Sequence, residues 1–577
     1  MPVGGGLSTL CRCRHGPGVY RGSARRATRI RTRVKLAAQE DAPVELLTAI
    51  RAGDLRDLER SFQRLETLDA VTSQAAKLAF RCGLALVDRA APPPPPLEEL
   101  SPFVRASPDA RRWARAASGD LERAALIRFD RDALARCRDF HHALVDDDAE
   151  HPSLGLRRAD AWLLLMDGRV EDLDELGKQL FVAASAARDA SVVIDATSLR
   201  ALAALANDNL DEATALSRRA SRMARTEGLR PERYLASILL ARVRRRAGRP
   251  HLSTRILSAI APIAPRPWQG WIAWERVLSG SRPESPLAQG LAEPSERAAE
   301  ALLGVLDRAA AGDLEGFDAA GARLAEVAAG FSTMAREGRV LISTLDPRIS
   351  ANACPDVAVA WCRGDVSEAP LGLGGLVGPP DGPADSTIAS VVARPHVAPR
   401  RILRIALPLL ECEGKVLRLS RTRLRRGRVD TAVAALALAG PRGLRDEELF
   451  LRAYEFAFQP SIHAGILDVL VHRMRARLEG AATVHREASV LRLEPHGLLA
   501  LSDPRCVEHV EDRLVRLIAT LGGVTTRRAA RELDVSVRTA QLALRRLLES
   551  GDCVQSRDGR RVHYTVEDTT FTEPTRF

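Results

Sequence analysis

Three stretches of this chain begin 40 residues apart: DGRVEDLDEL from Asp167, NDNLDEATAL from Asn207 and AGRPHLSTRI from Ala247. Each opens on a polar or glycine turn and runs on with apolar residues three and four positions apart, the period of a helix with one buried face. One such unit cannot bury its own apolar face, whereas stacked units build a continuous core and a concave surface. The same periodicity, with alanine at many contact positions, predicts an almost wholly helical region from about residue 42 to 280. Weaker turns, RAGDLRDLERSF near Gly53 and RFDRDALARCRDF near Asp130, mark further units. APPPPP at 91–96 is an extended spacer, and 281–350 continues as helices with a hairpin around AAAGDLEGF.

These units resemble tetratricopeptide-type helical hairpins with lengthened helices, although the Trp, Leu-Gly, Tyr and Pro of that family's fullest signature are missing. The resemblance implies an array over 40–350 that senses or scaffolds, with a protein or small ligand as its partner. Composition fits a folded chain of several domains: 577 residues, 46% hydrophobic and 28% charged. No run of 18 apolar residues occurs, so no membrane span is expected. Nine cysteines are scattered without a CxxC pair, which points to reduced thiols and a cytoplasmic protein.

Net charge is a poor guide to partners here. Of the +11 total, residues 1–39 contribute nine basic residues and no acid, leaving only +2 for the rest. That stretch reads as a disordered basic leader with three origins open: an arm on DNA, an organellar presequence, or leader translated from a misassigned start codon, the last favoured. Only four of the 85 basic residues are lysine, a bias expected of a high-GC bacterial genome. Arginine faces are therefore common in this chain, and a solvated face is the plain alternative to any one of them.

After about residue 351 the character changes. PDVAVAWCRGD and STIASVVARPHV look strand-like, separated by the Gly/Pro-rich EAPLGLGGLVGPPDGPADS, and 351–419 reads as a mixed strand and loop connector.

Near the C-terminus, Val510, Leu514, Leu517, Ile518 and Leu521 share one helix face, closed by Gly522-Gly523. Thr526 can cap a second helix that buries Ala529, Ala530 and Leu533. Asp534-Val535 make a turn, and Ser536 caps a third helix that buries Ala540, Leu544, Leu547 and Leu548. Beyond Gly551, Val562, Tyr564 and Val566 alternate, with Asp558-Gly559 as a two-residue hairpin turn. Three helices and a basic-tipped hairpin over 505–568 resemble the winged helix-turn-helix of bacterial transcription regulators. The resemblance implies major-groove or phosphate contacts from Arg538, Gln541 and Arg545, backbone phosphate contacts from Ser536 and Thr539, and a wing carrying Arg557, Arg560 and Arg561.

Upstream, ELFLRAYEF, the loop AFQPSIH and the run DVLVHRMRARL from Asp468 to Leu478 resemble an OmpR-type winged helix over 420–503, with VLRLEPHGLLAL as its wing. Leu470 and Ala464 stand where that family carries exposed base-contacting groups. His472, Arg473 and Arg475 remain, with RTRLRRGR at 421–428 as a further backbone contact. Phosphate binding without base reading, and a protein-binding module, are both open for this unit.

The chain holds no GxxxxGK[ST], HExxH, GxSxG or Gly-rich dinucleotide loop, so no enzyme and no cofactor is expected. CRCRH at 11–15 and FHHALVDDDAEH at 140–151 read as incidental and as a solvated turn, not metal sites. The expectation is a mostly α chain: an α-solenoid of helical hairpins, two small α+β winged-helix domains, and a tail at 569–577. Double-stranded DNA is the expected partner, with a homodimer possible and no membrane. The competing class is a non-enzymatic adaptor whose winged helices bind proteins.

Overall fold

A computed structural model describes residues 68–144, 153–281, 293–311, 313–345, 360–361, 376–378, 390–395, 402–403, 427–502, 509–559 and 561–566. The basic leader, the turn near Gly53, the Asp146–Asp148 loop, most of RTRLRRGR, Arg560 and the tail lie outside the described residues. The chain is mostly helical, with a few small sheets in its C-terminal part. No helix among the described residues is long and apolar enough to cross a membrane.

The first helices are α1 (Ala70–Val87), α2 (Pro108–Arg128), α3 (Arg131–Ala143) and α4 (Leu154–Asp167). Then come α5 (Val170–Ala187), α6 (Ala190–Ala206), α7 (Leu210–Glu227), α8 (Arg230–Arg246) and α9 (Pro250–Ile260). From α5 to α9 a helix starts every 20 residues, so each 40-residue repeat is a pair of helices. The punctuation has the same period: Gly168, Arg188, Asp208, Gly228 and Gly248 are all left-handed, with φ of 73, 57, 57, 72 and 73°. A left-handed residue just past a helix end stops the helix and satisfies its last carbonyls. The next residue starts the following one, Asp189 and Asn209 accepting from the amides of Val192 and Glu212. Each of these helices packs on the next in chain order.

The later helices fold back onto the earlier ones. Helix α10 (Arg266–Leu278) packs on α1, α2 and α8. It carries Trp268, Trp271 and Trp274, all fully buried. Phe129 meets Trp271 edge-on at 5.5 Å, and the Trp268 indole donates to the Leu86 carbonyl at 3.1 Å. Helices α11 (Pro294–Ala311) and α12 (Leu314–Ala328) form the hairpin around Asp313, and α13 (Ser332–Leu345) returns to α4.

Two layers of charge lie inside this helical body. Arg123 reaches Asp195 at 2.5 Å and Glu232 at 2.8 Å, all three side chains fully buried. Arg242 and Arg245 meet Glu275 and Glu337, again buried. Burial alone would lower the Arg123 pKa, but the carboxylates of Asp195 and Glu232 outweigh it and raise it.

A four-stranded sheet joins the array to the C-terminal units. Its strands are β1 (Val377–Gly378), β2 (Ser390–Ala393), β3 (Ile402–Leu403) and, much later, β7 (Leu499–Ser502), in the order β1-β3-β2-β7. Val392 and Ala500 pack into the array core, whereas Val391, Ala393, Leu499 and Leu501 pack into the neighbouring C-terminal unit. Burial on both faces explains the unbroken apolar run of β2. Three sequence expectations change here: Ala360 and Trp361 are helical, β1 interrupts the Gly/Pro-rich loop, and LLAL pairs with β2 and not with the wing.

Two units of one topology complete the fold. The upstream unit runs α14 (Arg428–Ala439), β4 (Leu444–Arg445), α15 (Asp446–Tyr454), α16 (Pro460–Arg477), then the hairpin β5 (Ala482–Glu487) and β6 (Val490–Pro495). The terminal unit runs α17 (Val510–Leu521), a bridge residue Val524, α18 (Thr526–Leu533), α19 (Val537–Glu549), then β8 (Cys553–Asp558) and β9 (Arg561–Val566). Strand β4 bonds to β6 as Val524 bonds to Tyr564 of β9, both antiparallel. In each unit a short extended segment between the first two helices ties the hairpin to the helices.

Candidate nucleic-acid interface

The terminal unit is held by caps and a small apolar core. Gly522, at φ 74°, ends α17, and Thr525, one residue before the expected cap, accepts from the Arg528 amide. Asp534 turns left-handed to end α18, and Ser536 caps α19 by accepting from the Thr539 amide at 3.0 Å. Ala529 and Ala530 are buried, so α19 can approach α18 closely. Ala540, Ala543, Leu544 and Leu547 form the buried side of α19, with Leu548 at its edge. Asp558 belongs to the first hairpin strand and pairs with Arg561, and is not a turn residue as expected.

On the opposite side of α19, Arg538, Gln541, Leu542 and Arg545 are exposed. Their spacing of three and four puts them on one stripe. Arg538 and Gln541 have no ion pair or hydrogen-bond partner from a side chain among the described residues. Arg545 donates to Glu549 at 2.9 Å, an exposed pair one turn apart that holds only weakly. Ser536 and Thr539 share a hydroxyl hydrogen bond of 2.7 Å at the helix start. Arg557 and Arg561 are exposed on the hairpin, one on each side of its turn.

The other side of the terminal unit is docked on the array. Asp552, in the turn between α19 and β8, accepts from Arg218 at 2.6 Å and from Arg244 at 2.8 Å, and pairs with Arg249 at 2.9 Å. Arg218 also donates to the Ser550 carbonyl, and Arg255 to the carbonyl of Ala519 at the end of α17. Leu252 of α9 completes the terminal unit's core beside Leu514 and Ile518. Burial would raise the Asp552 carboxyl, but the guanidinium groups of Arg244, Arg249 and Arg218 hold it well below the usual carboxylate range. Burial, with Arg516, Arg249 and Arg244 nearby, pushes the His251 imidazole down to about 3.

The upstream unit presents a different surface. Helix α16 is the counterpart of α19, and its outward stripe is Ile462, Ile466 and Val469, exposed by 64%, 41% and 50%. Gly465 lies between them with open space where a side chain would be. Leu470 is not an exposed position, as the sequence suggested: it is 2% exposed and packs in the core, so that Val469 faces outward. His472 and Arg473 are exposed on α16. Arg475 donates to the Val484 carbonyl at 3.1 Å and so anchors the hairpin. Arg486 of the hairpin pairs with both Asp446 and Asp468, which ties the acid beside the stripe to the hairpin.

Sequence reasoning missed three things: Leu542 in the α19 stripe, the Asp552 junction, and the apolar face of α16. The last was readable as the i, i+4, i+7 spacing of Ile462, Ile466 and Val469; nothing local marks Asp552, whose partners Arg218, Arg244 and Arg249 are distant in sequence. The chain matches no known family model, no curated protein and no solved structure, so the reading rests on this geometry.

Proposed function

We propose that this chain is a double-stranded DNA-binding transcription regulator whose terminal unit is a winged helix that lays α19 in the major groove. The observation that carries this reading is the exposed Arg538–Gln541–Arg545 stripe on α19, whose opposite side packs into the unit's core. Arg and Gln offer paired hydrogen bonds to single bases, and the capped start of α19 puts amides and the Ser536 and Thr539 hydroxyls where a phosphate passes. The wing arginines Arg557 and Arg561 serve the flanking backbone. Docking through Asp552 leaves this side open to solvent.

In the same reading the upstream unit is a second winged helix, but it is a protein-binding module. The specific observation favouring that role is the apolar Ile462–Ile466–Val469 stripe at the place where α19 carries its polar one. The tetratricopeptide-like array then positions the reading head: displacement of α7, or of the α8–α9 junction, by a bound partner moves the three arginines that hold Asp552.

The test is salt-dependent DNA binding by the full chain. About six phosphate contacts give a slope of log K against log salt of about −5. The triple change of Arg538, Gln541 and Arg545 to Ala should abolish preference for any one sequence. A flat salt response would rule the reading out in favour of the adaptor, and full retention of sequence preference in the triple variant would move the reading role away from α19.

A further inference from the structure

Leu542 occupies the centre of the α19 stripe, four residues after Arg538 and three before Arg545, and 54% of it is exposed. The residues on either side along the stripe, Arg538, Gln541 and Arg545, are hydrogen-bonding side chains. A large aliphatic group in that setting has no folding role: Ala540, Ala543, Leu544 and Leu547 already supply the core side of α19. Val537, 46% exposed at the first turn, extends the apolar character toward the start of the helix.

Resting on the proposed DNA reading, we infer that Leu542 is a specificity-determining residue that selects a thymine through its C5-methyl group. The major groove offers hydrogen-bond donors and acceptors on every base pair, but apolar surface only at that methyl. Opposite a cytosine, Leu542 would cover the N4 amino group, and opposite a purine it would cover N7; each loses a hydrogen bond to water without replacement. Opposite thymine it buries one methyl against its own. Arg538 and Arg545 fit guanine edges and Gln541 fits adenine, so the stripe reads a mixed site in which the thymine is fixed by contact and not by hydrogen bonding.

The experiment selects sites from random duplexes with the full chain, then replaces each thymine of the enriched site in turn by deoxyuridine, which lacks only the methyl. One replacement should weaken binding about fourfold, the value of one buried methyl-sized group. Leu542→Ala, an exposed change that leaves the core intact, should bind the thymine and uracil duplexes equally while keeping the response to changes at the Arg538 and Gln541 positions. Enrichment of a site with no thymine sensitive to the replacement overturns the Leu542 inference and leaves the DNA reading standing, as does a Leu542→Ala protein as sensitive as the parent. Failure to enrich any site overturns both. If Leu542→Ala instead changes only the oligomeric state of the free protein, the residue serves contact between copies and the inference fails.

Discussion

Arg244 donates to Asp552 at 2.8 Å across 308 positions of chain, joining the end of an array helix to the turn that follows the proposed reading helix. Arg218 and Arg249 complete the enclosure, so one carboxylate answers three guanidinium groups. Asp552→Ala removes the carboxylate that these three cations share, leaving Arg249 its pair with Asp512 at 3.4 Å, and Arg244 is only 2% exposed. Breaking such a buried pair from one side costs about 3–5 kcal/mol. The terminal unit should then separate from α9, losing Leu252 from its core while its own helices stay packed on one another. Hydrogen exchange reads this directly: amides around Leu252 and the end of α17 exchange faster, while those of α19 stay protected. Unchanged exchange at α17 would remove Asp552 as the junction.

Acid should release the same junction. His251 has a docked pKa of about 3 against an ordinary 6.5, so the released state binds more protons throughout that window. Docking is therefore strongest above pH 6.5 and weakens steadily as pH falls toward 3. Asp552, lowered from 3.8, contributes stability that is full above that value and is lost only on further acidification. Asp512 works in the opposite sense at the acid end, because burial raises its carboxyl and favours the protonated form. His251→Leu should remove the decline between pH 6.5 and 4, measured by exchange or by fluorescence transfer between labels on the array and the terminal unit. A decline of undiminished size in that variant would exclude His251 as its source.

The array's interior makes a contrast with its surface. Arg123→Met removes the cation that the buried Asp195 and Glu232 share, with Arg158 still 3.5 Å from Asp195, and should cost about 3 kcal/mol in urea unfolding. Arg131→Ala breaks a pair of similar length with Asp167, but one that is partly exposed, and should cost less than about 1 kcal/mol. Equal effects from the two substitutions would contradict the burial argument.

These interior arginines show where the sequence could be read and where it could not. The 40-residue repeat was legible because its turns carry Gly168, Asn207 with Asp208, and Gly248, residues that tolerate a left-handed backbone. Of the two intervening turns only Gly228 carries such a marker and Arg188 does not, so the 20-residue half-period showed at one point and not as a period. Arg242, Arg244, Arg245 and Arg246 are all buried, and nothing local marks them as such, since their partners Glu275, Glu337 and Asp552 are distant in sequence. The fold-back of α10 was equally invisible: Trp268, Trp271 and Trp274 have the spacing of any amphipathic helix. In the terminal unit the helices, Ser536 cap and hairpin were readable because each depends on neighbours within four residues. Strand β7 was misplaced because LLAL suits either a wing or a doubly buried strand, and only its partner β2 decides between them.

The two C-terminal units should differ in what they bind, and their exposed stripes make the difference measurable. His472→Ala with Arg473→Ala removes an imidazole and a guanidinium beside an apolar stripe that presents no hydrogen bonds to a base. In the full chain this pair should alter DNA affinity by less than about threefold and leave the selected sequence unchanged, an effect limited to long-range charge. Arg538→Ala should weaken specific binding about tenfold or more, because a paired guanine contact carries about 1–3 kcal/mol of discrimination. Ile466→Glu places a charge in the α16 stripe without touching the packed side formed by Leu467, Leu470, Val471 and Met474. It should leave DNA binding and thermal stability intact while abolishing any self-association or partner capture through that face. Competition binding with all three proteins on one duplex separates the roles. A loss of sequence preference in the His472 and Arg473 variant, with none in Arg538→Ala, would transfer the reading role from α19 to α16.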